Sequence, residues 1–502
     1  MNGNNCDKLV LKVKKIDLEA GGTYVVVLNK KLAEKSGIKS TDRALIKKGR
    51  KAHVGAINIT SSGVLEDEIG VFNEWQEVEL RNGEKIEVNI VGKPSALEAV
   101  RKKIFGEKLT KTEIYDIIHD ITFNEMTQVE IAGFVVAVHI RGMDLVETAN
   151  LTKAMVEYGQ VLKLSGTVVN KHCIGGVAGN RTTPIVVSII AESGLKIPKT
   201  SSRSITSPAG TADTVEFFAD VSFNVKDLKK IIDKTNGCMV WGGSLDLAPA
   251  DDKIIKVEKQ LSIDPENQML ASVMAKISAV SAKYAVIDIP VGKEAKINDL
   301  KDANRLKEKF IGLGQLLGIK TSVLITDAKQ PIGNGVGPAL ETRDVLYVLM
   351  NDKRRPLDLE EKALRLAGEL LEITGKAKDG YGLAKKILDS GRAYKKFKEI
   401  IKAQRGNPEI MPDDIKTGNI SFEFKSNKSG KITKLNNKII VDLCKRLGNP
   451  IDKRAGIYLH KKIGDEVKSG ELLMTLYAEI ERKLERTKEI LKDKKNNPYS
   501  II

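Results

Sequence analysis

Cysteine and histidine are scarce in this chain, at four and five copies among 502 residues. The cysteines Cys6, Cys173, Cys238 and Cys444 lie far apart. No Cys-x-x-Cys or Cys/His cluster occurs, and no two histidines stand at metal-ligand spacing. That excludes the common structural zinc sites, and no metal is expected. No apolar run approaches the ~20 residues that cross a bilayer. The N-terminal Met-Asn-Gly-Asn-Asn-Cys has no apolar signal region, so the expectation is a cytoplasmic protein without a membrane partner. Aromatic residues make up only 5%. The charges are interspersed, with no zinc finger, RNP signature or long basic tail, so nucleic acid is not expected as a partner either. Low-complexity segments and short repeats are absent.

What is present is an apolar content of 41% and a length that predicts several domains. Lys and Arg total 82 against 66 Asp and Glu, a net charge of +16. We read the excess as a solvated lysine-rich surface combined with attraction for anionic substrates. Abundant Lys, Glu and Ile suggest a thermophile.

Residues 1–91 are expected to form a β-rich domain. Leu9–Val13, Thr23–Leu28 and Lys85–Val91 read as short strands between Gly and Asn turns, with a short helix at Ala33 stopped by Gly37. The segment weakly resembles a small double-psi-type barrel, and assembly is the role expected for it. Lys93-Pro94 marks a boundary. Four amphipathic helices follow: Ala96–Phe105, Lys111–Ile121, Glu125–Val138 and Met143–Tyr158. Thr122 or Asn124, and Asp144, suit their N-caps. Strand–helix alternation then predicts an α/β domain over 165–247 and 285–404. The intervening helical stretch 248–284 joins 92–164 in a discontinuous α domain. The expected class is multidomain α/β with a mixed central sheet, a substrate cleft between the α and α/β domains, and a C-terminal α+β lobe over 405–502. Gly456–Leu473 resembles the hairpins of biotinyl or lipoyl carriers. It lacks the modification lysine in its usual context, so we read it as a structural β lobe.

One stretch changes character twice. Gly166–Asn170 reads as a buried strand, Lys171–Thr183 as a glycine-rich basic loop, and the apolar run to Ala191 as a helix. Gly175, Gly176 and Gly179 let backbone N–H groups approach a ligand closely. The helix adds unpaired N–H groups and its positive dipole end, and Lys171 and Arg181 add charge. A plain tight turn would also need glycine. A second loop, Lys199–Asp213, holds seven hydroxyl residues: Thr200, Ser201, Ser202, Ser204, Thr206, Ser207 and Thr211. Hydroxyls and the Arg203 guanidinium suit phosphate oxygens. Turn and cap roles are the structural alternative. Two such loops on consecutive β-α units share one end of an open sheet, where ligands bind.

Lys171-His-Cys-Ile-Gly-Gly-Val, Lys199-Thr-Ser-Ser-Arg…Ala-Gly-Thr-Ala-Asp213 and Leu247-Ala-Pro-Ala-Asp251 resemble the signature blocks of the thymidine/pyrimidine nucleoside phosphorylases. The resemblance runs from about residue 93 to the C-terminus. The N-terminal segment and Ser262-Ile-Asp-Pro265 are more similar to one branch, the archaeal AMP phosphorylases. That branch cleaves nucleoside 5′-monophosphates with inorganic phosphate, giving the base and ribose 1,5-bisphosphate. AMP, CMP and UMP are the implied substrates, and phosphate is a co-substrate with no cofactor. The resemblance places AMP-binding positions at Gly176, Ser202, Arg203, Ser204, Ile205, Thr206, Ser207, Thr211, Ser272 and Lys296, and a proton donor at Asp264. From the wider family, Lys171, Ser202, Thr183 and Thr211 match positions around the phosphate, and His172 lies beside them. The family's Ser after Lys-His is Cys173 here, a weaker donor. Three polar residues that hold the base in pyrimidine-specific members fall at Val257, Pro265 and Met269, so those contacts are gone. Lys296 supplies a cation for a 5′-phosphate. The family also implies a homodimer or a higher homo-oligomer.

Phosphorolysis passes through an oxocarbenium-like ribosyl centre, as glycoside hydrolysis does. It needs a positioned phosphate, a general acid for the departing base and support for charge. Asp264 would be the acid. Asp264-Pro-Glu-Asn also reads as a helix start, with Asp264 as N-cap and Pro265 as first helical residue. A capping carboxylate is held ionised, whereas a general acid must carry a proton. Two phosphates nearby would favour the protonated form. The other readings are a pyrimidine or thymidine phosphorylase, a phosphoribosyltransferase (weakened by the lack of an acidic magnesium–pyrophosphate cluster) and a non-catalytic nucleotide-binding protein.

Overall fold

The computed structural model describes residues 8–49, 51–204 and 207–502. The chain divides into two compact units, residues 1–158 with 248–272, and residues 159–247 with 273–502.

The first unit begins with a closed barrel of β1 (Lys8–Lys15), β2 (Val25–Asn29), β3 (Arg43–Lys48), β4 (Lys51–Thr60), β5 (Glu68–Val71) and β6 (Lys85–Val91), in the order β1-β5-β2-β4-β3-β6. Alternate residues fill it: Val26 and Leu28 from β2, Ala44 and Ile46 from β3, with Ile57, Ile69 and Val88, all buried. Closure removes exposed sheet edges. Trp75 plugs the wall, its indole N–H donating to the Val25 carbonyl at 2.8 Å. The sequence patterning found β1, β2 and β6. It missed β3–β5, whose polar and glycine residues blur the alternation.

Four helices follow: α1 (Ala96–Ile104), α2 (Lys111–Thr122), α3 (Gln128–Arg141) and α4 (Leu145–Glu157). Capping boxes start the last three, at Thr110/Glu113, Thr127/Glu130 and Asp144/Glu147. Asp144 caps as expected, but α3 is capped by Thr127 instead of Thr122 or Asn124. Asn124 adopts φ +58°, a left-handed position that ends α2 instead. Glu147 also reaches back, accepting from Lys103 Nζ at 2.8 Å and Leu109 N at 2.9 Å. Arg43 of the barrel donates to Glu130 at 2.7 Å, so one carboxylate serves both the α3 cap and the barrel.

The second unit is built on β7 (Val169–Cys173), β8 (Ile197–Ser201), β9 (Gly237–Trp241), β10 (Tyr284–Val291) and β11 (Lys320–Asp327). β11-β10-β7 and β8-β9 are parallel throughout, and a parallel bridge from Val168 to Lys196 joins the two sets. Between them run α5 (Thr183–Glu192) and the short α6 (Thr211–Val215); α7 (Pro338–Leu349) and α8 (Leu357–Ile373) pack beyond. The core is continuous from Ile185 and Ile189 of α5 to Leu346 of α7 and Leu366 and Leu370 of α8. Antiparallel pairing enters at β12 (Gly335–Val336), which hydrogen-bonds β15 (Gly456–Leu459) in a sheet completed by β17 (Leu472–Ala478) and β13 (Ile420–Lys425). The remaining strands, β14 (Gly430–Leu435), β16 (Glu466–Val467) and β18 (Tyr499–Ile501), form a second small sheet. The C-terminal lobe thus takes one strand from 335–336, inside the α/β segment.

Candidate active site

The strand of the first loop runs further than its sequence pattern suggests. Lys171, His172 and Cys173 pair with Val286, Ile287 and Asp288 of β10, so they end β7 and do not belong to the loop. Likewise Lys199, Thr200 and Ser201 end β8 beside β9. These are adjacent C-terminal strand ends, where open α/β sheets bind ligands.

Two glycines fix the loops. Gly176 has φ +93°, and a Cβ there would lie 2.6 Å from the Lys296 amide nitrogen. The Lys296 backbone therefore sits against the first loop, with the Lys296 side chain exposed. At Gly210 a Cβ would lie 2.5 Å from Ser204 N, so the second loop folds back on itself. Asp213 secures that fold, its Oδ2 accepting from Ser204 N and Gly210 N at 2.8 Å each.

Four cations are buried here. Lys362, on α8, lies 3.0 Å from Asp288, which also accepts from Thr326 at 2.6 Å. Burial would raise the Asp288 pKa, but Lys362 and then Lys171 outweigh it and hold the group ionised. Arg181 is taken up by Glu341 of α7, at 2.6 Å. The other two, Lys171 and Lys199, are 2% and 5% exposed and have no carboxylate partner among the described residues. Lys171 Nζ donates to the Thr182 hydroxyl at 2.8 Å. Lys199 Nζ donates to the Thr200 carbonyl. Burial, then Lys171 and Lys276, push Lys199 down to about 7. Burial lowers Lys171 as well. Burial and the lysines Lys199, Lys276 and Lys171 press His172 well below the ordinary histidine value, so it is neutral at pH 7.

Polar atoms without partners gather at the same strand ends. Asn170 Oδ1, His172 Nδ1, Asn180 Oδ1, Thr200 Oγ1 and Ser201 Oγ are buried with no hydrogen-bond partner among the described residues. Buried polar groups are nearly always paired, so such a cluster marks a place built for a polar ligand. Two buried lysines without a carboxylate at ion-pair distance among the described residues, Lys171 offset only in part by Asp288, give that ligand its sign. A cavity of about 270 Å³ opens beside Gly176 and Ser207.

The remaining sequence candidates fall into three groups. Thr183 opens α5 and is 5% exposed, and Thr211 opens α6, its hydroxyl accepting from Arg181 at 2.8 Å. Ser202 is exposed; Ser204 donates to the Ser207 carbonyl, and Ser207 to the Ala209 carbonyl at 2.7 Å. Arg203 turns its guanidinium to Glu216, lies 3.5 Å from Asp213 and stacks on Trp241 at 4.9 Å. Its charge and that of Arg181 are thus engaged inside the protein. Ile205 and Thr206 lie outside the described residues. In the first unit, Asp264 is exposed, and the helix behind it begins at Glu266, one residue later than expected, with Met269 N donating to the Pro265 carbonyl at 2.9 Å. Ser272 donates to Asp251 at 3.0 Å, and Val257 is buried.

Sequence reasoning named Thr200 and Ser201 only among the loop's hydroxyls and gave Lys199 no role of its own. The available signal was a lysine closing a short apolar segment just before a hydroxyl run. Elsewhere, His119, Asp120 and Glu125 bring ligand atoms within 4.8 Å of one another, a grouping the sequence spacing did not reveal. His119 Nδ1 and Asp120 Oδ1 already pair at 3.0 Å. Cys173 Sγ accepts from Gly175 N and Asn180 Nδ2, each at 3.4 Å. Burial, then Asp288, raises its pKa to about 11, so the thiol stays protonated.

Residues 97–159 match the helical bundle domain of a glycosyl transferase family, 165–394 the a/b domain of that family, and 431–496 the pyrimidine nucleoside phosphorylase C-terminal domain. The fold is similar to that of anthranilate phosphoribosyltransferase from Thermus thermophilus, with TM-score 0.52 and 19% identity over 61% of this chain and 99% of that one. Over the full length the likeness is closer. AMP phosphorylase 1 of Archaeoglobus fulgidus is 42% identical over 96% of both chains. AMP phosphorylase of Thermococcus kodakarensis is 44% identical over 95% of both. With its helical bundle and a/b domain and this near-complete coverage, the chain belongs to the AMP phosphorylase family.

Proposed function

We propose that this enzyme is a pentosyltransferase that cleaves nucleoside 5′-monophosphates with inorganic phosphate, converting AMP to adenine and ribose 1,5-bisphosphate, and accepting CMP and UMP. The observation that carries the reading is the pair of buried lysines, Lys171 and Lys199, without carboxylate partners beside five unpaired polar atoms. A buried positive surplus is costly alone and is relieved by a bound anion. Phosphate held there attacks C1′, the C1′–N bond breaks, and Asp264 passes its proton to the departing base. The neutral His172 can donate from one ring nitrogen and accept at the other, which suits a positioning contact. Lys296 and the hydroxyls of Ser202, Ser204 and Ser207 are assigned to the nucleotide's own phosphate. Val257 in place of a polar base contact speaks against a thymidine or pyrimidine nucleoside phosphorylase.

The test is release of free base from AMP, CMP, UMP, adenosine and thymidine in the presence of phosphate. Release from AMP supports the proposal; release from thymidine but not from AMP overturns it. Within the same reading, Cys173→Ser gives a hydroxyl that donates better than the thiol. The KM for phosphate is expected to fall about threefold to tenfold, roughly one hydrogen bond's worth, as measured by phosphate titration at saturating AMP.

The enzyme is further proposed to be cytoplasmic, to come from a thermophile and to assemble as a homo-oligomer. Assembly is supported by an exposed apolar stripe on α3, where Val129, Val136 and Ile140 are 82%, 36% and 69% exposed at helical spacing. No helix among the described residues is long and apolar enough to cross a membrane. Ile140→Glu is expected to shift the protein toward monomer in light scattering, with an unchanged fold by circular dichroism.

A further inference from the structure

Arg181 ends the first anion loop and is 7% exposed. Its guanidinium makes four contacts. Nε and Nη2 donate to Glu341 Oε2 at 2.8 and 2.6 Å, Nη2 also to the Ala209 carbonyl at 2.8 Å, and Nη1 to the Thr211 hydroxyl oxygen at 2.8 Å. Glu341, 1% exposed, is itself held by Gly337 N at 3.0 Å. The ion pair therefore ties the end of the first loop to α7, to the last turn of the second loop and to the first residue of α6.

Arg181 is poorly placed to bind a phosphate directly, because leaving Glu341 would strand a buried carboxylate. Its bond to Thr211 has a direction, however. Arginine carries only donors, so Thr211 Oγ1 must accept, and the hydroxyl's own proton is left to point elsewhere. A hydroxyl that accepts from a cation is also polarised into a stronger donor. Thr211 is half-buried and opens α6, and the clamp uses only its oxygen, which leaves the hydroxyl proton to be given to a ligand. We propose that Arg181 is a positioning residue that acts through Thr211, fixing this hydroxyl as a hydrogen-bond donor to the phosphate co-substrate. The inference rests on the phosphorolysis reading for its ligand.

The experiment is a double-mutant cycle on the full-length enzyme with Arg181→Lys and Thr211→Val. Lysine keeps a charge against Glu341 but loses the fork that reaches Thr211. Each single variant is expected to raise the KM for phosphate about tenfold at saturating AMP, and the double variant no further, because the two residues form one contact path. Thr211→Ser, which keeps the hydroxyl, should stay within about twofold of wild type. A purely structural Arg181 would lower the melting temperature without coupling to Thr211. The inference is overturned if Arg181→Lys leaves the KM for phosphate unchanged, or if the double variant loses about a hundredfold. Should Arg181→Lys fail to fold, the pair Arg181→Met with Glu341→Met removes the guanidinium without stranding a charge, and the same tenfold rise is expected. The rise in melting temperature on adding phosphate gives the same coupling without turnover. Loss of coupling in that assay counts against Arg181, whereas wild-type enzyme inactive on AMP counts against the functional reading.

Discussion

Asp264→Asn is expected to lower kcat for AMP phosphorolysis by about 10²–10⁴, the usual contribution of a general acid. Asn has nearly the same shape and keeps an oxygen acceptor, so any contact that tolerates an amide survives. Asp264 is exposed and precedes the first helical residue, Glu266, by two positions. Loss of a helix cap typically costs about 1 kcal/mol. A structural Asp264 would therefore give a modest fall in melting temperature with turnover intact. A catalytic Asp264 gives the reverse, a collapse of turnover at nearly constant melting temperature. Substrates with a good leaving group need less protonation of the base. The deficit should therefore shrink on nucleotides whose base departs easily, which a merely destabilised enzyme would not show. Near-normal kcat in the variant removes Asp264 from the mechanism.

Lys199→Met separates stability from binding. Lys199 is 5% exposed, and burial with Lys171 and Lys276 brings it to about 7, against the ordinary lysine value of 10.5. Between those two values the unfolded chain binds the proton more strongly than the native one, so stability increases with pH across this window. Below about pH 7 the full cost of a buried charge is present. Removing the charge is expected to raise the melting temperature, most clearly at pH 6, and to flatten its dependence between pH 7 and 10. The same change should raise the KM for phosphate about tenfold to a hundredfold, since a hydrogen bond to a charged group contributes about 1.5–3 kcal/mol. In the wild type, bound phosphate favours the charged lysine, so phosphate affinity should weaken as pH rises through about 7. That lysine component should be missing from the variant. A melting temperature that falls together with an unchanged KM would show that Lys199 only supports the strand end.

Both experiments probe residues that differ in how visible they are from sequence. Asp264 stands in a motif that resembles the family's wording, so it could be offered as the acid without a fold. Lys199 could not be singled out, because its importance lies in what surrounds it. Nothing in Lys199-Thr-Ser-Ser says that the amine is buried, or that other lysines and, among the described residues, no carboxylate lie beside it. Arg181 shows the opposite error. As a cation in a glycine loop it reads as a phosphate ligand, yet Glu341, 160 residues later in sequence, claims it. Arg203 also pairs with an internal carboxylate, Glu216, a contact its loop position does not reveal.

Local chemistry was readable where partners are close in sequence. The helices of the first unit were placed within a few residues, because apolar spacing and caps act over three or four positions. The glycines of the first loop were also legible, since the need for φ above zero is a property of the residue itself. The barrel's middle strands were not. β3 and β4 pair as a local antiparallel hairpin, but lysines and Gly55 blur its alternation, and the parallel pairing of β5 with the distant β1 is encoded by no local pattern. By itself the sequence determined the family, the secondary elements with strong periodicity and the residues offered to a ligand. Only the tertiary structure decided which of the offered charges remain available, because charges cancel through space and not along the chain.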